Sequence, residues 1–293
     1  MFSCVNPDQI EGMAWLGCYL TTAKHLAFYQ SFIVVLLLIA VTAPLAITLG
    51  LLSATASRSG LFFIRYPGKM YIAMVRGIPD IVFFLFVPLA LDQGIEYLRH
   101  LILCSDQTGS VWQGNDFVVC DMAKMPLSTA SSWVHDVYGF GLAVIAFALV
   151  FGAFAGNVLA GAMAAVPRSQ LETGAAYGMT RRQVFWRIMF RQMWIYALPG
   201  LSNLWMILIK ATPLLFLLGI QDIVYWAREL GSAKTSAFSY PHPDWRLWYF
   251  LALLVFYLLI TWMSERGFER LNRHFSHGQS MFINHQQGGR KRA

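Results

Sequence analysis

An all-α membrane protein with five transmembrane helices is what this sequence predicts, on three observations. Only 13% of the 293 residues are charged while 57% are hydrophobic, whereas water-facing domains carry roughly 25% charged residues. The apolar residues are gathered into runs long enough to cross a bilayer as helices, which need about 20 such residues because lipid offers their backbone no hydrogen-bond partners. Lys and Arg, finally, concentrate in alternate connecting segments.

The N-terminus, MFSCVNPDQIEGMAWLGC, carries acids and no early basic cluster. It lacks the positive region of a cleavable signal peptide, so the first hydrophobic segment is expected to stay in the mature protein. Residues 26–57 contain no charge and house the first span, near 29–53. The second is expected over 70–91, interrupted by Arg76 and Asp80; the third over 138–165; the fourth over 196–218, with Lys210 inside it; the fifth over 247–265. The run 98–103 is apolar but short, and Arg99 and His100 break it. All of 1–275 forms one transmembrane domain, followed by a polar tail, 276–293, ending GGRKRA.

Orientation follows from Lys and Arg, which are retained on the cytoplasmic side. With the N-terminus outside, the inner segments hold Arg58, Arg65 and Lys69, then Arg168, Arg181, Arg182, Arg187 and Arg191, then Arg266, Arg270, Arg273, Arg290, Lys291 and Arg292. The outer segments hold only Lys24, Arg99, Lys124, Arg228, Lys234 and Arg246. The C-terminus is therefore expected inside. Cys4, Cys18, Cys104 and Cys120 then all fall outside, where an oxidising compartment permits a Cys104–Cys120 bridge. Unpaired small residues at the membrane surface are the other reading.

The net charge of +7 does not point to nucleic acid, since the cations follow the connecting segments and no aromatic-basic module accompanies them. The seven histidines (25, 100, 135, 242, 274, 277 and 285) show no helical ligand pair, and no metal site is expected. Trp15, Trp194, Tyr196, Trp245, Trp248 and Tyr249 cluster at span ends, as an interfacial belt requires.

The segment 166–200 departs from an ordinary connector. Ser169 can cap a first short helix, with Glu172 three residues later as in a capping box. Gly174, Ala175 and Ala176 leave a flat face for close approach by another protein. Gly178 suits the left-handed turn that ends a helix, Thr180 can cap a second helix that flows into the fourth span, and Pro199 lies near its start.

Here the chain resembles the EAA loop of binding-protein-dependent ABC importer permeases, whose pattern is E-A-A-x-x-x-G followed by Leu-Pro. Glu172, Ala176 and Gly178 match, with Leu198-Pro199 twenty residues after Gly178. Thr173 and Gly174 replace the two alanines; both are small, though the glycine lowers helix propensity by about 1 kcal/mol. Arg76-Gly77-Ile78-Pro79 resembles the R-G-T-P element of the polar amino-acid branch. Gly152-Ala153-Phe154, Gly161 and Val166-Pro167 follow its G-A-Y…G…V-P run, and Asp222 with Ala227-Arg228-Glu229 resembles its segment after the fourth span. The likeness runs from about residue 30 to 275, closest in character to the M-type membrane subunit of histidine, basic amino-acid and opine importers.

The resemblance implies the type I importer permease fold in a bacterial inner membrane. It implies amino-acid import by alternating access, driven by a dimer of separate ATPase subunits that bind ATP and magnesium. A periplasmic solute-binding protein and a second permease are the other partners, a heterodimer being favoured over a homodimer. The cytoplasmic loop 166–200 would carry the coupling helix, with Glu172, Thr173, Gly174, Ala175, Ala176, Tyr177, Gly178 and Arg182 docking the ATPase. Relatives carry a glutamate where this chain has Asn157 and an arginine where it has Ala160.

No cofactor and no catalytic residue are expected in the chain itself. It has no G-x-x-x-x-G-K-[ST] phosphate loop: before Gly68-Lys69 the first glycine's place is taken by Phe63, and Met70 follows. Nor does it have the G-x-S-x-G or H-E-x-x-H constellations of a membrane hydrolase. A secondary transporter for a small polar solute is the alternative; it calls for internal repeats and a mid-membrane carboxylate. Within the expected spans, Arg76 pairs with Asp80 on one helix face or reaches the headgroups, Gly77 and Pro79 shape the segment, Lys210 lines an interface or cavity, and Asn157 lines a path or packs against a helix.

Overall fold

The computed structural model describes residues 12–105, 111–127, 129–218 and 220–276. Its helices are α1 (Gly12–Leu20), α2 (Ala23–Ser57), α3 (Phe62–Gly77), α4 (Asp80–Leu103), α5 (Ser132–Ala165), α6 (Arg168–Ala176), α7 (Arg181–Val184), α8 (Phe190–Ala211), α9 (Ile223–Gly231) and α10 (Arg246–Ser276). A π turn, Phe185–Met189, joins α7 to α8, and a 3₁₀ stretch, Thr212–Leu218, follows α8. Two short strands, β1 (Trp112–Gln113) and β2 (Asp116–Phe117), pair antiparallel. Five helical passages are long and apolar enough to cross a membrane: Ala23–Ser57, Ile81–Leu103, Ser132–Ala165, Arg181–Phe216 and Arg246–Phe275. The tail 277–293 and Cys4 lie outside the described residues.

The second passage differs from the expected 70–91. The helix breaks at Ile78-Pro79 and restarts at Asp80 with Pro79 as its N-cap, φ −59° and ψ 134°. Proline lacks an N–H and disfavours helical backbone at the residue before it, so the ladder cannot continue through this dipeptide. Arg76 and Asp80 thus stand on different helices, which removes the four-residue spacing on which their pairing rested; their side chains lie outside the described ones. The passage instead runs on through Leu98–Leu103.

Four polar side chains carried along by that shift have partners within the chain. The Tyr138 hydroxyl donates to Asp92 Oδ1 at 2.6 Å, and Glu96 Oε1 accepts the Met125 N–H at 3.1 Å. Arg99 donates to the carbonyls of Ala123 and Met122 at 3.1 and 2.9 Å. The Cys120 N–H reaches His100 Nδ1 at 3.2 Å, and Cys120 is disulfide-bonded to Cys104. Cys18 is disulfide-bonded as well. Ligand atoms of His100, Cys104 and Cys120 lie within 4.8 Å of one another. With both sulfurs in the bridge and Nδ1 accepting an amide, this trio is a staple holding Cys120 to the end of α4.

The chain divides into two compact units. The first comprises 1–44, 78–150 and 211–256. In it the Tyr19 hydroxyl sits 2.9 Å from His242 Nε2 and 3.2 Å from the Leu230 carbonyl, and His25 Nε2 sits 2.6 Å from the Tyr249 hydroxyl. His242 also stacks on Trp245 at 4.4 Å. These contacts latch α1 and the start of α2 to α9 and α10. Asp222 is wholly buried and caps α9, accepting the N–H groups of Val224 and Tyr225 at 3.1 and 2.9 Å. Its second oxygen is buried with no hydrogen-bond partner among the described residues.

The second unit comprises 45–77, 151–210 and 257–293. Its helices meet backbone to backbone at small residues, the arrangement that lets apolar helices associate without a hydrophobic driving force. A Cβ placed on Gly50 of α2 would lie 2.7 Å from Ala155 Cβ and 2.9 Å from Gly156 N on α5. On Gly152 it would lie 2.7 Å from the Tyr71 hydroxyl, and on Gly200 of α8, 2.6 Å from a Val158 methyl. Around these seams Ala54, Leu159, Met163, Met193 and Ala197 form a core that is almost fully buried.

Two outcomes follow from the packing. Gly50→Leu drives a side chain into α5 backbone and lowers stability by about 1–3 kcal/mol, read as a lower melting midpoint in detergent, while Gly60→Leu, at an open position, leaves it unchanged. Burial raises the Asp222 pKa to about 6 against the opposing pull of the N–H donors, so the folded state holds an extra proton between about 4 and 6 and stability falls as pH rises through that window, by up to about 3 kcal/mol. Asp222→Asn keeps a cap acceptor that never ionises; its melting midpoint should lose that slope, and equal slopes in both proteins would remove this role from Asp222.

Candidate functional site

The elbow between α5 and α8 is built from two helices that terminate themselves. Helix α6 begins on Pro167, whose fixed φ of −59° starts the ladder one residue ahead of Ser169. The expected Ser169 cap is therefore absent: α6 has no side-chain cap, and the Ser169 carbonyl instead accepts the Thr173 hydroxyl at 2.8 Å. At the other end Gly178 has φ +79°, the left-handed conformation that side chains resist by about 1–2 kcal/mol. The Met179 N–H returns to the Gly174 carbonyl at 3.1 Å and the Gly178 N–H to that of Ala175 at 3.0 Å. Those two bonds make a Schellman close, which satisfies carbonyls the helix end would orphan.

Thr180 then opens α7 with a reciprocal capping box: its hydroxyl accepts the Gln183 N–H at 3.4 Å, and Gln183 Oε1 accepts the Thr180 N–H at 2.8 Å. Met179 and Val184 flank this start as a hydrophobic staple. Both come within 3.5 Å of where a Cβ on Gly174 would sit, and Ile188 Cδ1 comes within 2.5 Å. Gly174 is thus buried against the π turn and does not belong to an outward docking face, contrary to the expectation. Its lack of a side chain lets α6 close onto α7 and Phe185–Met189.

The face left in the open consists of Glu172, Thr173, Ala175, Ala176, Tyr177 and Gly178, with Arg181 and Arg182 beside them. Tyr177 is 84% exposed. Glu172 makes no ion pair among the described residues. Beneath, Leu171, Phe185, Met189, Phe190 and Trp194 pack onto the core that holds α5 to α8. The elbow is consequently a knob seated on two long helices, with small residues, one carboxylate (Glu172) and two guanidinium groups (Arg181, Arg182) turned outward.

Two expected pathway residues also belong to the second unit. Asn157 of α5 and Lys210 of α8 are exposed in the single chain. Asn203 and Ile207 are exposed too, and with Lys210 they share one face of α8 at helical spacing. Asn203 was not singled out from the sequence, although its spacing of seven residues from Lys210 was a readable signal. Gly77 and Pro79 form the α3–α4 break.

Residues 46–277 match the family described as the binding-protein-dependent transport system inner membrane component. The chain is 29% identical over 214 residues to the arginine ABC transporter permease protein ArtQ of Haemophilus influenzae, covering 73% of this chain and 78% of that one. It is 30% identical over 255 residues to the histidine/lysine/arginine/ornithine transport system permease protein HisQ of Salmonella typhimurium, covering 85% and 93%. With the octopine transport system permease protein OccQ of Rhizobium radiobacter it shares 28% over 225 residues, covering 76% and 79%. All three carry a Q designation, so the likeness is not confined to M-type subunits. Among solved structures, an amino acid ABC transporter with histidines shares the fold: TM-score 0.58 at 17% identity, over 85% of this chain and 94% of that chain.

Gly178→Val forces a branched side chain into left-handed backbone and costs about 1–2 kcal/mol locally. It should raise the rate of proteolytic cleavage within 174–184 in detergent-purified protein while the overall melting midpoint stays put.

Proposed function

The chain belongs to the binding-protein-dependent transport system inner membrane components, and from that premise we propose how it works as the permease subunit of an amino-acid importer. Its residence is the inner membrane, which it crosses several times. The elbow 166–200 is the coupling element. Glu172 anchors it to a separate ATPase subunit through a charged hydrogen bond, Tyr177 and the small residues Ala175 and Ala176 fit a cleft on that subunit, and Arg182 contacts its surface. ATP and magnesium reside on that partner. The single observation carrying this reading is the self-capped knob, outward-facing at Glu172 and Tyr177 and seated on the α5–α8 core.

In this arrangement closure of the ATPase dimer pushes the knob, and α5 and α8 move with it between inward-open and outward-open states. The positive-inside bias supports a cytoplasmic elbow and C-terminus and an outside N-terminus. A periplasmic binding protein delivers solute to the outer face. The similar arginine, histidine/lysine/arginine/ornithine and octopine permeases point to basic amino acids or opines as the solute class. The exposed face with Asn203 and Lys210 is unsuited to lipid, which supports its covering by a second, related permease, with Asn157 beside the solute path.

The carboxylates Asp92 and Glu96 on α4 are committed to Tyr138 and the Met125 amide. That employment weakens the ion-coupled alternative, which needs a titrating group free to load and unload. Glu172→Ala, losing a charged hydrogen bond of about 1.5–3 kcal/mol, should weaken ATPase co-purification about tenfold or more and lower ATP-driven uptake of arginine, histidine or octopine in proteoliposomes. The variant should still fractionate with the membrane. Wild-type uptake that continues without ATP and follows an ion gradient would overturn the reading.

A further inference from the structure

Helix α3 is pressed to the protein along one flank only. A Cβ on Gly68 would lie 2.8 Å from Ser57 N and 2.9 Å from Ala56 Cβ, and Ile72 beside it is buried. This contact with the end of α2 sets the rotation of α3. Away from the seam stand Phe62, Phe63, Tyr66 and Met70, exposed by 59, 88, 59 and 57%. Phe62 stacks on Tyr66 at 5.7 Å and meets Phe63 edge-on at 5.9 Å, so the rings pack on one another. Arg65 and Lys69, four residues apart, run along the border between this aromatic face and the seam. Residues 58–76 contain no acid. Arg58, Arg65 and Lys69 are exposed and make no ion pair among the described residues.

Rings and cations together define the occupant. Water alone leaves three aromatic side chains unburied; acyl chains alone leave the cations unsolvated; a protein partner would have to desolvate Arg65 and Lys69 against acids of its own. The headgroup layer of a bilayer meets both needs, since aromatic rings settle at that depth and basic side chains extend to phosphate. We propose that α3 is a binding surface for anionic phospholipid, with Arg65 and Lys69, backed by Arg58, on the headgroup phosphate and Phe62, Phe63 and Tyr66 seated among the upper acyl carbons. The proposal needs membrane residence and not the importer role, so the two fail separately.

The purified full chain in neutral detergent is titrated with phosphatidylglycerol and, separately, with phosphatidylcholine of the same acyl chains, and retained lipid is counted by native mass spectrometry. Phosphatidylglycerol should be held more tightly. The double variant R65Q/K69Q should lose about thirtyfold in phosphatidylglycerol affinity, from about 1 kcal/mol per basic side chain at a membrane surface, with phosphatidylcholine retention unchanged. R270Q/R273Q on α10 should keep the preference. Raising salt from about 0.05 to about 0.5 M should erode the wild-type preference, a measurement that needs no variant. A photo-crosslinker in place of Phe63 should label lipid in native membranes. Equal retention of the two lipids by the wild type, equal loss in both double variants, a salt-independent preference, or crosslinks to protein alone would each overturn the proposal.

Discussion

Close approach of α2 to α5 at Gly50 and Gly156 is the contact on which the second unit depends. In a hydrocarbon solvent, burial of apolar surface against another helix gains little, because the tails are as apolar as the side chains. What remains is packing at short range, and that needs backbones near enough for dispersion and weak backbone contacts to add up. Glycines at 50, 152, 156 and 200 permit that approach. The elbow rests on the same core through Leu171 and Phe185.

Polar groups in the apolar passages fall into two kinds, separated by where their partners are. In the first unit three charged side chains are satisfied within the chain: Asp92 by Tyr138, Glu96 by the Met125 amide, Arg99 by the carbonyls of the folded-back segment. In the second unit Asn203 and Lys210 sit on an open face of α8. A polar group that costs several kcal/mol in lipid is retained only where something other than lipid covers it. The first kind ties elements of its unit together, and the second kind lies on the face proposed above to meet a second permease.

How much was legible in the residues depends on how local the determining physics is. Gly178 and the Thr180 cap are set by backbone stereochemistry within four residues, and both stand as read. Five apolar passages are likewise a matter of composition. Ser169 does not cap α6 because a proline two residues earlier takes the start of the same helix. The second passage was set too early because a hydropathy count is blind to the missing amide of Pro79. Gly174 was assigned outward because smallness does not say which neighbour exploits it; only the approach of Ile188 does. The partners of Arg99, His100 and Glu96 lie twenty or more residues away through a folded-back segment, and no spacing rule encodes them.

The π turn at Phe185–Met189 sets the angular phase of the elbow. It closes with the Phe190 N–H on the Phe185 carbonyl, one residue wider than the α ladder on either side. Each residue of an α-helix advances by about 100°. The extra residue therefore decides which compass bearing Glu172 and Tyr177 face relative to α8. A stretch that looks like uninterrupted helix is for this reason as intolerant of a one-residue deletion as a strand in a sheet, since shortening it would aim the knob sideways without unfolding anything.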